Sequence, residues 1–478
     1  AGAGAAQGAS AGEPADRAAP AGVPAECPSV LAVLQKIRDA PGHMGCDIGG
    51  TLVKMVLALP AEVESAGGWS FPEKFGSTGR AHHHLELGLA TANGDRFALR
   101  FLSGSTSKLE HAVQHLGLRR RRSFVRHEGA RQGLGSPGLD IAEDPSEDFD
   151  PLPWEPDAGG GLGARQVSEP RSPGLVSERS PIPFVRKRSD WSGEVFSASR
   201  RAVRRIATAG GGACKFAPLF RDALRVEMEP VRELSAVVDG LLLLAPRDVE
   251  GGGTGGSSCS GEGAAGLFTV DADGLSQPLQ WPSSLFPLLL VNMGSGVSIL
   301  RVNSAADGDF VRVGGTACGG GTFLGLAWAL TSARTFDEAL EFASNGDARR
   351  ADKLVSDIYG EDGCATLGLP GTLTASNFGK LGDDGCADPC SDRDLARALL
   401  QMVTQQSVLL ATAFAKNAGC IDRVFFVGGF VGEENWIARR AIAANFRSLG
   451  GCAYFLRHSD FLGALGSLRC ALRVAEGR

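Results

Sequence analysis

Tyrosine is nearly absent, two residues in 478, and methionine (5) and histidine (8) are scarce, while glycine reaches 66. So much glycine with so few aromatics signals compositional bias and stretches of unstructured filler. A surplus of positive charge is also missing: 48 Lys and Arg against 54 Asp and Glu leave a net charge of −6. That excludes a general nucleic-acid binder, which needs basic excess for phosphates, and any basic patch must be local. No stretch reaches the roughly 18–20 apolar residues of a membrane span, and LLLLA at 241–245 reads by its length as a short buried strand. The eleven cysteines are odd in number and scattered through apolar or glycine-rich runs, which fits reduced intracellular thiols and no disulfide framework. Cys386 and Cys390, in CADPC, lack the second pair or nearby histidine of a zinc site. No GxxxxGK[ST] is present, which excludes a P-loop, and no GxGxxG opens a helix after the first strand, which removes the Rossmann fingerprint. The chain begins with Ala rather than Met, which leaves a preceding start segment and a targeting peptide open.

What is there divides into filler and patterned sequence. Residues 1–41 are expected to be a disordered Ala/Gly/Pro-rich arm. Residues 119–195, which mix RRRR, EDPSEDFD, AGGGLGA and RSPIPFVRKRSD without a 2 or 3.6 period, read as a disordered insertion, and 250–266 as a flexible loop. Arg119–Arg122 and Arg126 could be an import signal or a phosphate-binding patch, and Ser172 and Ser180 precede prolines as phosphorylation candidates. The acidic block beside them favours a solvated filler reading. The remaining sequence predicts an α/β chain of two lobes, the first from 42–118 plus 196–280 and the second from 281–478. CDIGGTLVKMVLAL at 46–59 reads as a hairpin hinged at two glycines, and FPLLLVNMGSGVSILRVN at 286–303 repeats the design. Thr335 and Glu338 form a capping box for a helix ended by Asn345, Ser391 caps a long helix through 417, and RVFFVGGF at 423–430 reads as a buried strand stopping at glycines.

Three strand ends thus carry glycines: Gly49-Gly50-Thr51, Gly294-Ser295-Gly296 and Gly428-Gly429. Without Cβ atoms, such turns let backbone amides approach phosphate oxygens, and Asp47, just before the first turn, can hold Mg²⁺ or its water. His82, His83 and His84 suggest a metal at first glance, but consecutive side chains point apart on any regular backbone and rarely meet at one ion.

The segment D-I-G-G-T at 47–51, with a second phosphate hairpin and a late VGG turn, resembles the actin, sugar-kinase and heat-shock-chaperone ATPase superfamily. GCDIGGTLVK (45–54), FGSTG (75–79), ATAGGGACKF (207–216), LLLVNMGSGVSIL (288–300), RVGGTACGGGTFLGL (312–326), ADKLVSDIYG (351–360), GLPGTLTASNFG (368–379) and DRVFFVGGF (422–430) are similar, in order, to the eukaryotic-type pantothenate kinases. That resemblance implies a two-lobed actin-like (ribonuclease-H-like) fold. It also implies ATP- and Mg²⁺-dependent phosphorylation of pantothenate to 4'-phosphopantothenate, in a cytoplasmic dimer restrained by acyl-coenzyme A. It assigns Asp47, Gly49, Gly50, Thr51 and Lys54 to phosphates and metal, Gly319, Gly320 and Gly321 to the border of the nucleotide, and Gly428 and Gly429 to the adenosine. Ser295, Val297, Ser298 and Arg312 match the pantothenate contacts, Arg312 as a grip on a carboxylate or on the transferring phosphoryl.

The pattern breaks at one position that matters. The family's ATGGGAYKFE ends in a glutamate that resembles its catalytic base, and the matching residue here is Ala217, which cannot take a proton. The nearest downstream acids are Asp222, a weak substitute, and Glu227. Thr372 stands where the family usually has a tryptophan, and Ala317 where serine is common. Two readings follow: a working kinase with drifted positions, or an impaired paralogue that completes the site of a base-carrying partner in a heterodimer.

Overall fold

The computed structural model describes residues 30–65, 69–108, 204–246, 258–260, 266–382 and 390–477. The 119–195 insertion, with its arginine runs, Ser172 and Ser180, and Cys386 all lie outside the described residues.

Two sheets carry the chain, and each is built from the same five-strand unit. In the first, β1 (His43–Ile48), β2 (Leu52–Pro60), β3 (Arg96–Ser105), β4 (Arg204–Ala209) and β5 (Val226–Pro230) are ordered β3-β2-β1-β4-β5. In the second, β6 (Leu288–Met293), β7 (Val297–Val302), β8 (Phe310–Thr316), β9 (Val424–Val427) and β10 (Ala453–Leu456) are ordered β8-β7-β6-β9-β10. In both, the first three strands pair antiparallel and the last two add parallel to the first. This repeated order is the duplicated ribonuclease-H-like architecture of the actin-like fold. β2, β6 and β9 are almost continuously buried, because helices or the other lobe cover both faces of their sheets. The two predicted hairpins are β1–β2 and β6–β7, the Thr335/Glu338 box and the Ser391 cap are present, and Asn345 ends its helix.

Several predicted boundaries move. Val30–Asp39, expected inside the disordered arm, is a helix whose Val33, Leu34 and Ile37 bury against Phe71, Phe75 and Phe220 on the outer face of the first sheet. Ser258–Ser260, expected in a flexible loop, pairs with Leu87–Ala90 as an edge of the first sheet. Strands Leu267–Val270 and Ser276–Pro278 extend the second sheet beyond β10, so that sheet begins before the predicted boundary at 281. Leu241–Leu244 are the fully apolar end of the helix Glu233–Leu244 and not a strand. A four-residue run carries no periodicity of its own, and from Ala236 onward the helix is buried at every position but Asp239.

The helix Asp392–Ala418 is long and apolar enough to cross a membrane by composition, yet Leu399, Leu400, Val403 and Ala411 lie in the core beneath the second sheet. The helix Leu462–Ala475 leaves the second lobe, to which the sequence assigns it, and packs on β1 and on Glu233–Leu244. Three glycines allow this crossing. A Cβ at Gly45 would lie 2.1 Å from the Ala464 carbonyl oxygen, one at Gly240 2.1 Å from that of Leu462, and one at Gly466 1.8 Å from that of Ala236. Around this crossing Val56, Phe101, Leu290, Phe425 and Leu465 form one core shared by both sheets.

Candidate functional site

The parallel strands of both sheets end at the same cleft, where ligands bind in α/β folds. From the first lobe, β1 and β2 place Asp47 directly opposite Lys54. The turn between them is held shut by the Gly49 amide on the Leu52 carbonyl (2.9 Å) and by Thr106, whose hydroxyl donates to the Gly49 carbonyl (3.1 Å) and whose amide donates to that of Thr51 (2.9 Å). Gly49, Gly50 and Thr51 are exposed, and a Cβ at Gly50 would meet nothing, so this turn keeps an open face. Asp47 is packed beneath it: Cβ atoms at Gly210 and Gly463 would come within 2.8 and 2.5 Å of its carboxylate oxygens. Burial raises the Asp47 carboxyl above its usual range, and the Lys54 charge pulls it back.

From the second lobe, the predicted glycine segments meet. The amides of Gly320 and Gly321 donate to the carbonyls of Gly294 and Ser295, both at 2.9 Å, and Gly319 sits so close that a Cβ would be 2.7 Å from the Ser295 oxygen. Two amides of the triple glycine are therefore spent on docking the helix Gly320–Leu330 to the β6–β7 turn. Gly428, at φ +98°, passes beside Met293 and Asn292 at the end of β6. Lys54 spans the cleft, its Nζ 3.7 Å from the Cβ position of Gly429. All three turns, Asp47 and Lys54 thus share one site.

The substrate residues assigned by resemblance separate. Arg312, exposed on β8, lies over Gly315 and donates from Nε to the Ser298 hydroxyl at 3.5 Å, across a bulge that skips Val313. Ser295 is exposed at the turn. Val297 is 2% exposed, and its side chain belongs to the core beneath the second sheet. Thr372 and Ala317 are both exposed, and the Ala317 carbonyl accepts the Thr322 hydroxyl at 2.9 Å.

Neither Asp222 nor Glu227 stands beside Ala217 as a ready substitute. The helix carrying Ala217 spans Gly212–Leu224, and that alanine packs against the apolar cluster of the first lobe. Asp222 lies five residues further on the same helix and is exposed, more than a third of a turn around from Ala217. Glu227 is taken up by Arg205 (3.6 Å) and Arg221 (3.8 Å). Two acids that sequence reasoning missed do stand near the turns. Glu233 opens its helix just beyond the end of β5, and its carboxyl is raised by desolvation and by the negative charge of Asp47. Asp460 lies where the chain leaves β10 for the last helix, its carboxylate pressed against Gly432. Both are single acids at the boundaries of elements, and no motif or period marks them.

The three histidines take different partners, His82 the Ser103 hydroxyl (2.8 Å), His83 Glu86 and His84 Glu433, both at 2.9 Å, while the His82 and His84 rings meet edge to face at 5.9 Å. Among the described residues no group of three or more His, Cys, Asp or Glu side chains could hold a metal ion. Cys390 points to the Arg350 carbonyl. Across the cleft mouth, Arg80 pairs with Glu434 at 3.0 Å. Deeper, His458 donates Nε2–H to the Leu85 carbonyl at 2.8 Å, and burial holds its pKa down to about 4.

That last value predicts acid sensitivity. The imidazole titrates near 6.5 when unfolded, above its folded pKa of about 4. Its contribution is therefore complete above pH 6.5 and lost as pH falls toward 4. The loss amounts to roughly 3 kcal/mol. Raised carboxyls such as Asp47 and Asp239 act in the opposite sense, so the difference between wild type and His458→Gln is the quantity to measure. Denaturant unfolding should show it shrinking between pH 7 and pH 4, and a constant difference would refute the prediction.

A family model described as Fumble matches residues 184–469, more than half of the chain, beginning after the first phosphate hairpin. Pantothenate kinase 1 of Arabidopsis thaliana is 38% identical over 269 residues, 55% of this chain and 64% of that protein. Pantothenate kinase 2 of the same plant is 38% identical over 297 residues, 61% of this chain and 30% of that protein. The chain thus spans less than two thirds of the length of these relatives. Among solved structures, the activator of 2-hydroxyisocaproyl-CoA dehydratase from Clostridium difficile with bound ADPNP aligns over 91% of this chain and 96% of that one, with a TM-score of 0.37 and 12% identity.

Proposed function

Because the chain belongs to the Fumble family, the type II pantothenate kinases, we propose that it phosphorylates pantothenate with ATP to give 4'-phosphopantothenate, a step toward coenzyme A. The observation that carries this reading is the meeting of two glycine-turned hairpins, the Gly428–Gly429 turn and Lys54 at one cleft. Phosphoryl transfer asks a protein chiefly for positioning and charge neutralisation, and this arrangement supplies both. The exposed turn at Gly49–Thr51 would cradle phosphate oxygens, and Lys54 would neutralise them. Arg312 and Ser298 would grip the substrate's carboxylate. Asp47 suits Mg²⁺ held mainly by phosphates and water: it is one hard-oxygen donor at the phosphate turn, and its carboxylate makes no hydrogen bond among the described residues. The ion, when bound, would neutralise charge on the transferring group.

Ala217 favours a second reading, an impaired subunit that completes the site of a base-carrying paralogue. In either case a two-fold partner is proposed, supported by apolar side chains left uncovered on the second lobe: Trp328 (56% exposed), Leu330, Ile358 and Tyr359. Acyl-coenzyme A as feedback ligand and a cytoplasmic location belong to the same proposal. The test is formation of labelled phosphopantothenate from ATP and labelled pantothenate by the purified chain, with Asp47→Asn as control. Product that is abolished by Asp47→Asn supports the kinase. A chain that binds ATP and makes product only with a paralogue present supports the second reading. A chain that binds neither ATP nor pantothenate sinks both.

A further inference from the structure

Lys54 is the one lysine that reaches from the first lobe to the second lobe's glycine turn, and it makes no hydrogen bond or direct ion pair among the described residues. A free lysine side chain loses about 1.5–2 kcal/mol of rotamer freedom when it is fixed. Something must hold it extended. Its cross-strand neighbour Asp47 would draw the ammonium back over β1. On the opposite side lies Asp460, with Oδ1 buried and without a hydrogen-bond partner. Gly432 makes room for this carboxylate: a Cβ there would come within 2.6 Å of Oδ2 and 2.9 Å of Oδ1. The turn Gly429–Val431 separates Gly432 from Gly429, so Asp460 and the Lys54 ammonium flank the same short turn. Burial raises the Asp460 carboxyl. Lys54 is the first of the charges opposing that rise, followed by Arg439, while Glu433 and Glu434 add to it.

We infer that Asp460 is a positioning residue for Lys54, a buried countercharge that keeps the ammonium extended over the Gly428–Gly429 turn, ready for the phosphates of a nucleotide. This rests on the nucleotide-binding reading of the cleft. Holding the cation in place beforehand lowers the ordering cost of binding. Arg439 is the competing partner for the carboxylate, but its own guanidinium already donates to the Glu433 carbonyl and stacks over Phe268.

The test is calorimetric titration of the full chain with MgATP, which requires no turnover. Asp460→Asn, close to isosteric, should weaken binding about tenfold, less than the loss of a partner from a directly bonded buried pair. In a Lys54→Met background the same change should cost nothing further, whereas in an Arg439→Met background it should cost as much as in wild type. Unchanged or tighter binding by Asp460→Asn overturns the inference, as do additive losses with Lys54→Met or coupling to Arg439 instead. Should Asp460→Asn fail to fold, Asp460→Ser is titrated in its place. If neither folds, Asp460 is a structural countercharge and the inference falls. A wild-type chain that binds no MgATP overturns the kinase reading together with this one, while wild-type binding unaffected at Asp460 overturns this one alone.

Discussion

Ala217→Glu is expected to raise the rate of phosphopantothenate formation by about 10²–10⁴-fold, the usual contribution of a positioned general base. That corresponds to roughly 3–5 kcal/mol of barrier. The geometry gives the new carboxylate a defined origin. Gly210–Gly212 dock the start of the helix onto the first phosphate hairpin: a Cβ at Gly212 would lie 2.2 Å from Ile48 Cγ2, and one at Gly210 would lie 2.5 Å from the Ile48 carbonyl. Position 217 follows in the second turn of that helix, about 7.5 Å of rise beyond Gly212. Asp222 faces solvent and Glu227 is held by two arginines, so wild type has no acid on this helix to do the work. Rates of labelled product formation, with MgATP affinity measured alongside, decide the matter. Wild-type turnover already in the ~1–100 s⁻¹ range of kinases would sink the prediction. Glu233, near Asp47, would then be the acid to substitute next.

The second large effect concerns stability. Gly466→Ala places a methyl 1.8 Å from the Ala236 carbonyl oxygen, with the Ala236 carbon and Cα within 2.8 Å. The obstacle is helix backbone and not a side chain that could turn aside. Relief requires prising the helix Leu462–Ala475 from Glu233–Leu244, in a core that also contains Leu241, Leu462 and Leu465. Overpacking typically costs 1–3 kcal/mol, and a backbone obstacle belongs at or above the top of that range, about 3 kcal/mol. Against a total stability of about 5–15 kcal/mol, that is a large fraction and should lower the unfolding midpoint by several degrees. Thermal unfolding of Gly466→Ala beside Gly477→Ala, whose Cβ would meet nothing although its φ is +73°, provides the measurement. Equal, small shifts in the two variants would show that the helices part more easily than their spacing implies.

How much of this could be read from the residues follows from what each signal depends on. The hairpins at 46–59 and 286–303, the capping residues Thr335 and Ser391, and the glycine turns are local, and local chemistry specifies them. Leu241–Leu244 misled because a buried helix and a buried strand look alike over four apolar residues. Val297 fell to the core because strand alternation buries it opposite Ser298, a distinction that the glycine motif does not carry. Asp460 and Glu233 gain meaning only when distant segments meet. One depends on a lysine four hundred positions earlier in the chain, the other on a strand end two strands away.

The docking of Leu462–Ala475 on β1 also sets a timetable. His43–Ile48 are made more than four hundred residues before the helix that covers them. Until those residues leave the ribosome, Gly45 and the groove beside it face water, and the first lobe cannot close its inner side. Contacts so remote along the chain slow folding, because a very long loop must close before they contribute. The nascent first lobe therefore keeps that face uncovered throughout synthesis, and its closure waits for the emergence of one late helix.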